Sequence, residues 1–286
     1  MHLMVFSKHL AGPPLGEVAR RLRAMEIDAI DLTVRPGGHV APERVEDELP
    51  RAADELGREG VRIGMITTNV TDARAPDTER LLRAAARLGI RHYKLGYYPY
   101  KGFGTLRRQR DEVAARMRDL AALNREVGIR GGFHNHSASF FGASVWDVEH
   151  VLKGIPPDEI GLYFDPAHAA VEGGSDGWKM GLDLMSDRVV LLAVKDYEWV
   201  EGGSGYAGGR RFKVKWCPPE QGNVPWPEAL RHLRASGFDG PVSLHSEYQG
   251  PHSFRDLSVD DVFAQTARDA RLFRRWWDEA AASGRA

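Results

Sequence analysis

One junction recurs along this chain: an amphipathic stretch ends at a glycine, and within one or two residues an apolar run begins. It appears as Arg58-Glu59-Gly60-Val61-Arg62, Arg87-Leu88-Gly89-Ile90-Arg91, Glu126-Val127-Gly128-Ile129-Arg130 and Ala235-Ser236-Gly237-Phe238-Asp239. Glycine just past a helix takes the left-handed backbone that closes a helical C-terminus, so each junction reads as helix followed by strand. Strand-like runs begin near Leu3, Ala29, Arg62, Arg91, Ile129, Ile160, Val189 and Pro241. Their spacing is about 25–40 residues except for a longer last step, the length of a strand-plus-helix unit. Helical periodicity marks Leu15–Met25, Ala41–Glu59, Thr78–Leu88, Leu106–Val127, Val145–Lys153 and Pro227–Ala235. Eight such units with right-handed crossovers close into a (β/α)8 barrel, an α/β fold expected to occupy residues 1–286 as one domain. An open doubly wound sheet would need a Gly-rich phosphate turn after an early strand, and the turn after Val5-Phe6-Ser7 has none.

Two segments stand outside the count. Residues 200–225 form a Gly-rich, basic and aromatic insertion after the seventh strand, on the face where long loops act as lids or binding walls. A solvated linker is the alternative, but interleaved Tyr206, Phe212 and Trp216 favour an ordered lid. The tail over about 259–282 reads as a helix carrying Phe263, Phe273, Trp276 and Trp277, an extension packed on the barrel exterior or on a neighbouring subunit.

In a parallel barrel all strand carboxyl ends open on one face. Three runs deliver metal-ligand side chains there: Gly132-Phe133-His134-Asn135-His136, Tyr163-Phe164-Asp165-Pro166-Ala167-His168 and Val242-Ser243-Leu244-His245-Ser246-Glu247. A carboxylate at the end of an apolar strand needs a cation, because burying it unpaired costs several kcal/mol. A salt bridge would serve, but His134, His136, His168 and His245 crowd the same strand ends as Asp165 and Glu247. Mixed imidazole and carboxylate ligation suits a divalent transition metal, with Mg²⁺ also possible. His134, Asp165, Glu247 and His245 are the expected ligands. Catalytic roles fall to Glu247 as base, with His136 and Lys195 as proton carriers. His168, Lys8, Arg35, Asn69, Lys94 and Asp196 are expected to contact substrate, and Tyr97 to wall the pocket. Arg35, in the turn Val34-Arg35-Pro36-Gly37-Gly38-His39, either clamps an anionic group or pairs with Asp31. His2, His92, His150 and His232 read as surface or satisfied histidines.

A net charge of −1 supplies no basic field for duplex nucleic acid. No apolar run approaches the roughly 18–20 residues needed to span a bilayer, and the amino terminus lacks a signal-peptide layout. The single cysteine, Cys217, excludes an internal disulfide and fits a reducing cytoplasm.

These residues resemble the xylose isomerase-like TIM-barrel superfamily, which includes sugar isomerases and epimerases, hydroxypyruvate isomerase, inosose dehydratase and abasic-site endonucleases. The resemblance runs from the first strand to Glu247. Its most specific pieces are Asp165-Pro166-Ala167-His168, Val194-Lys195-Asp196, Gln221-Gly222-Asn223-Val224 and Glu247 after Gly240-Pro241. In the epimerase branch, Glu, Asp, His and Glu on strands five to eight hold the ion, and the two glutamates act as acid and base. Asp165 and Glu247 match that pattern, whereas the strand-five position is His134 and the strand-seven position is Ala193. The resemblance implies a metal-dependent sugar or keto-sugar isomerase or epimerase working through a cis-enediolate, with Mn²⁺, Co²⁺ or Mg²⁺ ahead of Zn²⁺. It also implies a homo-oligomer, a dimer or tetramer, acting on a small carbohydrate. Loss of the second carboxylate raises a lyase or dehydratase acting on a keto-sugar, keto-glycoside or inosose. A metal-dependent endonuclease and a non-catalytic sugar-binding barrel are further alternatives.

Overall fold

Each apolar run becomes a short buried strand, and parallel pairing continues until the sheet meets itself. The computed structural model describes residues 1–204 and 210–283. Its barrel strands are β1 (His2–Phe6), β2 (Ala29–Val34), β3 (Arg62–Thr68), β4 (His92–Lys94), β5 (Arg130–His134), β6 (Ile160–Phe164), β7 (Val189–Val194) and β8 (Pro241–Leu244). They follow one another around the ring, and Val5 pairs with Leu244 of β8 on one side and Ile30 of β2 on the other, closing it. Among the described residues, eight α-helices cover the outside: α1 (Leu15–Ala24), α2 (Val45–Arg58), α3 (Thr78–Arg87), α4 (Leu106–Val127), α5 (Val145–Leu152), α6 (Pro166–Met185), α7 (Trp226–Ala235) and α8 (Val259–Ser283). The four junction glycines have positive φ as expected, 74° at Gly60, 76° at Gly89, 74° at Gly128 and 84° at Gly237.

Most apolar burial lies between sheet and helices, including Leu22, Leu49, Leu56, Leu82, Leu120 and Leu230. A smaller cluster of Met4, Ala29, Met65, Tyr163, Val190, Leu191 and Ala193 fills the barrel interior. The C-terminal helix lies on the barrel exterior as α8. Phe273 packs edge-on to Trp226 of α7, and Arg274 Nη2 donates to the carbonyls of Met25 and Glu26 beyond α1. None of the described helices is long and apolar enough to cross a membrane.

Two elements differ from the sequence pattern. Helix α6 carries the run Val171-Glu172-Gly173-Gly174 inside it, and Gly174 leaves helical geometry at φ 69°, ψ −158°. Three glycines between residues 173 and 177 hid that helix, since glycine weakens helical periodicity. The insertion is an antiparallel ribbon, Asp196–Ser204 against Arg210–Cys217, with Tyr197 opposite Trp216. Tyr206, Gly205, Gly208 and Gly209 lie outside the described residues. Cys217 is buried at the end of this ribbon, and burial pushes its thiol pKa up, away from nucleophilic use.

Candidate metal centre

Strand β6 runs directly into α6, and that abrupt join builds the centre. Asp165 is the N-cap of α6 with Pro166 behind it at the first helical position. Its Oδ1 accepts the His168 backbone N–H at 3.0 Å, which satisfies one of the free donors of the first turn. The turn carries the His168 ring to the other oxygen, with Nε2 3.7 Å from Asp165 Oδ2. From the end of β5, His134 brings Nε2 to 3.2 Å from the same oxygen. Asn135 fixes the two strand ends together: the Asp165 N–H donates to its Oδ1 at 2.8 Å, and its Nδ2 donates to the Asp165 carbonyl at 3.0 Å. The ligand atoms of His134, Asp165 and His168 all lie within 4.8 Å of one another, and all three residues are buried.

The outer nitrogens of both imidazoles are engaged. Tyr97 OH lies 3.2 Å from His134 Nδ1, and Ser137 Oγ lies 2.8 Å from His168 Nδ1. A hydroxyl in this place can accept the Nδ1–H of the tautomer that leaves Nε2 free for a metal. His168 Nε2 is in fact buried without a hydrogen-bond partner. An orphan buried nitrogen beside a carboxylate and a second imidazole suits a divalent cation, and this cluster is able to bind one. Burial, the largest influence, holds both imidazoles well below their ordinary pKa and therefore neutral, the form that ligates. Burial pushes the Asp165 carboxyl upward, but the Lys195 charge and the hydrogen bond with His134 outweigh it and keep it well below the usual carboxylate range.

Lys195, at the end of β7, stands between two carboxylates, 3.6 Å from Asp165 Oδ2 and 3.3 Å from Glu247 Oε1. Trp216 of the ribbon covers it, its ring centroid 4.2 Å from the ammonium, and also meets His168 edge-on at 4.9 Å. Glu247 Oε2 accepts from Lys8 Nζ at 3.0 Å. Burial works against ionisation of Glu247, yet Lys195, His245, His9 and Lys8 hold its pKa well below normal. His245 Nε2 lies 2.9 Å from Tyr163 OH and its Nδ1 3.7 Å from Glu247 Oε1. Of the four expected ligands, His134 and Asp165 therefore meet in the compact cluster. Glu247 sits across Lys195 from it, His245 has its ring 6.2 Å from that of His134 but pairs with Tyr163 and Glu247, and the third member is His168, read from sequence as a substrate contact.

The other expected residues fall in two groups. His136 faces the mouth, its ring 3.9 Å from that of His168, and burial with the Lys195 charge pushes its pKa down to about 4. Lys94 is buried at the end of β4, donating to the Leu95 carbonyl at 2.7 Å beneath the Tyr97 ring. Asn69 is exposed beyond β3. Asp196 is engaged by the protein: its Oδ1 accepts from the N–H of Tyr197, Asn223 and Val224, and its Oδ2 from Trp226 Nε1 at 3.0 Å. Its oxygens serve to hold the loop before α7. Ser137, Asn135 and Trp216 are contributors that sequence reading did not assign to the centre, and Tyr97, expected to wall the pocket, backs His134. A cavity of about 790 Å³ opens at the opposite end of the barrel, lined by His2, Met4, Gly64 and His92 among others, with no ligand cluster among the described residues.

Known proteins share this frame. No curated protein sequence matches. Among solved structures, a xylose isomerase-like TIM barrel protein from Mycobacterium smegmatis in complex with magnesium is 16% identical over 97% of each chain, with a TM-score of 0.69. An L-ribulose 3-epimerase is 14% identical over 99% of this chain and 96% of its own, at 0.72. A D-psicose 3-epimerase from Clostridium cellulolyticum H10, solved with D-tagatose, is 12% identical over 97% and 99%, at 0.69. At these identities the likeness is one of fold. The family model described as xylose isomerase-like TIM barrel matches residues 19–276, nearly the whole barrel, and the chain belongs to that family.

Proposed function

We propose that this protein is a divalent-metal-dependent isomerase or epimerase of a keto-sugar. The observation that carries the reading is the meeting of His134, Asp165 and His168 beside Lys195 and Glu247 at the carboxyl mouth of the barrel. Solved relatives of the same fold are named as 3-epimerases of D-psicose and L-ribulose, which supports a keto-sugar. His134, Asp165 and His168 would hold the ion, with Mn²⁺, Co²⁺ or Mg²⁺ as the proposed metals. When bound, it supplies a Lewis acid that polarises a carbonyl and acidifies the neighbouring C–H bond. Glu247 is the base. In the free protein its partner Lys195 suppresses its basicity. When the ammonium turns to a substrate oxygen, Glu247 loses that partner and its proton affinity rises toward what the transfer needs. Lys195 then stabilises developing negative charge on oxygen. His136, neutral and at the rim, relays the proton to or from the opposite face.

A lyase is the second reading. With His134 in place of a strand-five carboxylate, Glu247 is left without a second glutamate opposite it, which suits abstraction followed by loss of a β substituent. Both readings share the enediolate, and one experiment tests it. The protein is treated with EDTA, reloaded with Mn²⁺, Co²⁺ or Mg²⁺, and incubated with D-psicose, L-ribulose and D-tagatose in D2O. Metal-dependent deuterium incorporation at the carbon next to the carbonyl is expected. Turnover without incorporation would remove the proton-transfer mechanism.

A further inference from the structure

Cationic side chains outnumber carboxylates at the barrel mouth. At the mouth Lys8, Arg35, Lys94 and Lys195 face two carboxylates, Asp165 and Glu247, with Asp31 deeper in the barrel also acting on Lys94, in a chain whose overall charge is −1. A divalent ion at the cluster would widen the excess. The two carboxylates are taken up by Lys8, Lys195 and the neighbouring histidines. Arg35 is left with no carboxylate within ion-pair distance among the described residues, and its guanidinium rests 5.8 Å from the centroid of the Phe6 ring. Asp31, its other possible partner, accepts instead from Thr67 Oγ1 and Ser243 Oγ, each at 2.8 Å, inside the barrel. The crowding of positive charge is felt by Lys94, whose pKa falls to about 7 through burial first and the Arg35 charge second.

The turn that carries Arg35 is rigid. Thr33 Oγ1 accepts the His39 N–H at 3.0 Å, the Gly38 N–H donates to the Arg35 carbonyl at 2.8 Å, and the Val40 N–H donates to the Thr33 carbonyl at 3.2 Å. A Cβ at Gly38 would lie 2.9 Å from the Thr33 carbonyl oxygen, so the turn closes this tightly only with glycine. Between the turn and Lys8 lies a pocket of about 120 Å³ lined by Lys8, Thr33, Arg35, Gly37, Gly38 and His39. That volume fits one tetrahedral or planar anionic group and is too small for a second sugar ring. His39 Nδ1 lies 2.9 Å from Thr33 Oγ1, while its Nε2 is buried with no hydrogen-bond partner. Lys8, reaching Glu247 from this pocket, ties it to the site of chemistry.

We propose that this pocket is an anion subsite in which Arg35 and Lys8 bind a phosphate or carboxylate carried by the substrate. The inference rests on the sugar reading above and narrows it to an anionic keto-sugar. The guanidinium fork matches both groups in two-point geometry. Charge at the mouth also raises the encounter rate of an anion over a neutral sugar.

Isothermal titration tests it with inorganic phosphate on EDTA-treated protein, so that no metal can be the anion's partner. D-fructose, D-fructose 6-phosphate and 2-keto-D-gluconate follow on Mg²⁺-loaded protein. The anionic sugars should bind at least about tenfold more tightly than D-fructose, and that advantage should shrink with added salt. Arg35→Gln should erase it along with phosphate binding, and Arg35→Lys should keep part of it. A thermal melt confirms that each variant is folded, and the salt series on the unaltered protein stands without any variant. Tighter binding of the phosphate sugar assigns a sugar phosphate, and tighter binding of the carboxylate a sugar acid. Equal affinity for charged and neutral sugars, or phosphate binding unchanged in Arg35→Gln, overturns the subsite. If anions bind through Arg35 but no keto-sugar exchanges deuterium, the isomerase reading fails and the subsite survives. Exchange in a neutral sugar with an inert Arg35 gives the converse.

Discussion

Lys195 Nζ lies 3.3 Å from Glu247 Oε1. The same ammonium is 3.6 Å from Asp165 Oδ2, so a fixed positive charge sits against a carboxylate of the metal cluster and against the proposed base. A cation beside a metal ligand weakens metal binding through like-charge repulsion, and it lowers the basicity of the carboxylate beyond it. Lys195→Met should therefore bind Mn²⁺ more tightly than the unaltered protein while losing about 10²–10⁴-fold in turnover, the range for a lost acid–base or oxyanion group. Calorimetric Mn²⁺ titration and deuterium exchange measure the two effects. Weaker metal binding in the variant would mean that Lys195 supports the cluster rather than opposing it.

The hydroxyls behind the imidazoles give a second prediction. Tyr97 OH and Ser137 Oγ touch the Nδ1 atoms of His134 and His168 and can accept their protons when Nε2 holds a metal. Losing such a partner costs about 10–100-fold in metal affinity. Tyr97→Phe and Ser137→Ala should each show a loss of that order in a competition assay with a chromophoric chelator. Unchanged affinity in both would exclude these two histidines as ligands.

Much of this was legible in the residues. The strand starts Ala29, Arg62, Ile160, Val189 and Pro241 are those of the structure, because glycine caps and apolar runs are local signals. The convergence of His134 and Asp165 followed from barrel topology alone. The role of His168 was hidden by its place three residues beyond Asp165, past the strand end, where it reads as a substrate contact. The signal was there in Asp165-Pro166, an N-cap and first-turn pair that folds residue i+3 back beside the cap. Trp216 was harder. Its place over Lys195 depends on the ribbon register that sets Tyr197 opposite Trp216, and pairing across a Gly-rich stretch leaves no local mark. Asn135 was passed over as the residue between two histidines, although a side chain with both donor and acceptor suits the joining of two strand ends.

Two histidines make the fold acid-sensitive, against an opposing contribution from Asp196 and Asp269, whose carboxyl pKa values burial raises to about 7 and about 6. His92, at the start of β4, has its pKa pushed down to about 4 by burial and by Arg130. His136 is pushed to about 4 by burial and Lys195. In the unfolded chain a histidine takes its proton near pH 6.5. Between about pH 6.5 and 4 the unfolded state therefore holds more protons at these two positions, and their contribution to stability falls as pH drops through that window. Each group contributes on the order of 2 kcal/mol. Urea unfolding at pH 7 and pH 4.5 should show a smaller loss in His92→Asn than in the unaltered protein, a difference from which the carboxyl contributions cancel. An equal loss in the variant would place the acid sensitivity elsewhere.

The last prediction concerns the loop before α7. Asp196 gathers the N–H groups of Tyr197, Asn223 and Val224 and the indole of Trp226, joining the end of β7 to the start of α7. Gly222 lets this happen: a Cβ there would lie 2.0 Å from the Asp196 carboxyl, closer than any side chain allows. Gly222→Ala must push the carboxylate off its donors, leaving buried N–H groups unpaired at a cost of about 1–3 kcal/mol each. Asp196→Asn exchanges an acceptor oxygen for a donor facing donors and should cost about 2–3 kcal/mol. Because the metal cluster lies on β5, β6 and the first turn of α6, both variants should keep Mn²⁺ affinity within a fewfold while their urea midpoints fall. A variant with normal stability but weakened sugar binding would instead give Asp196 a direct hold on substrate.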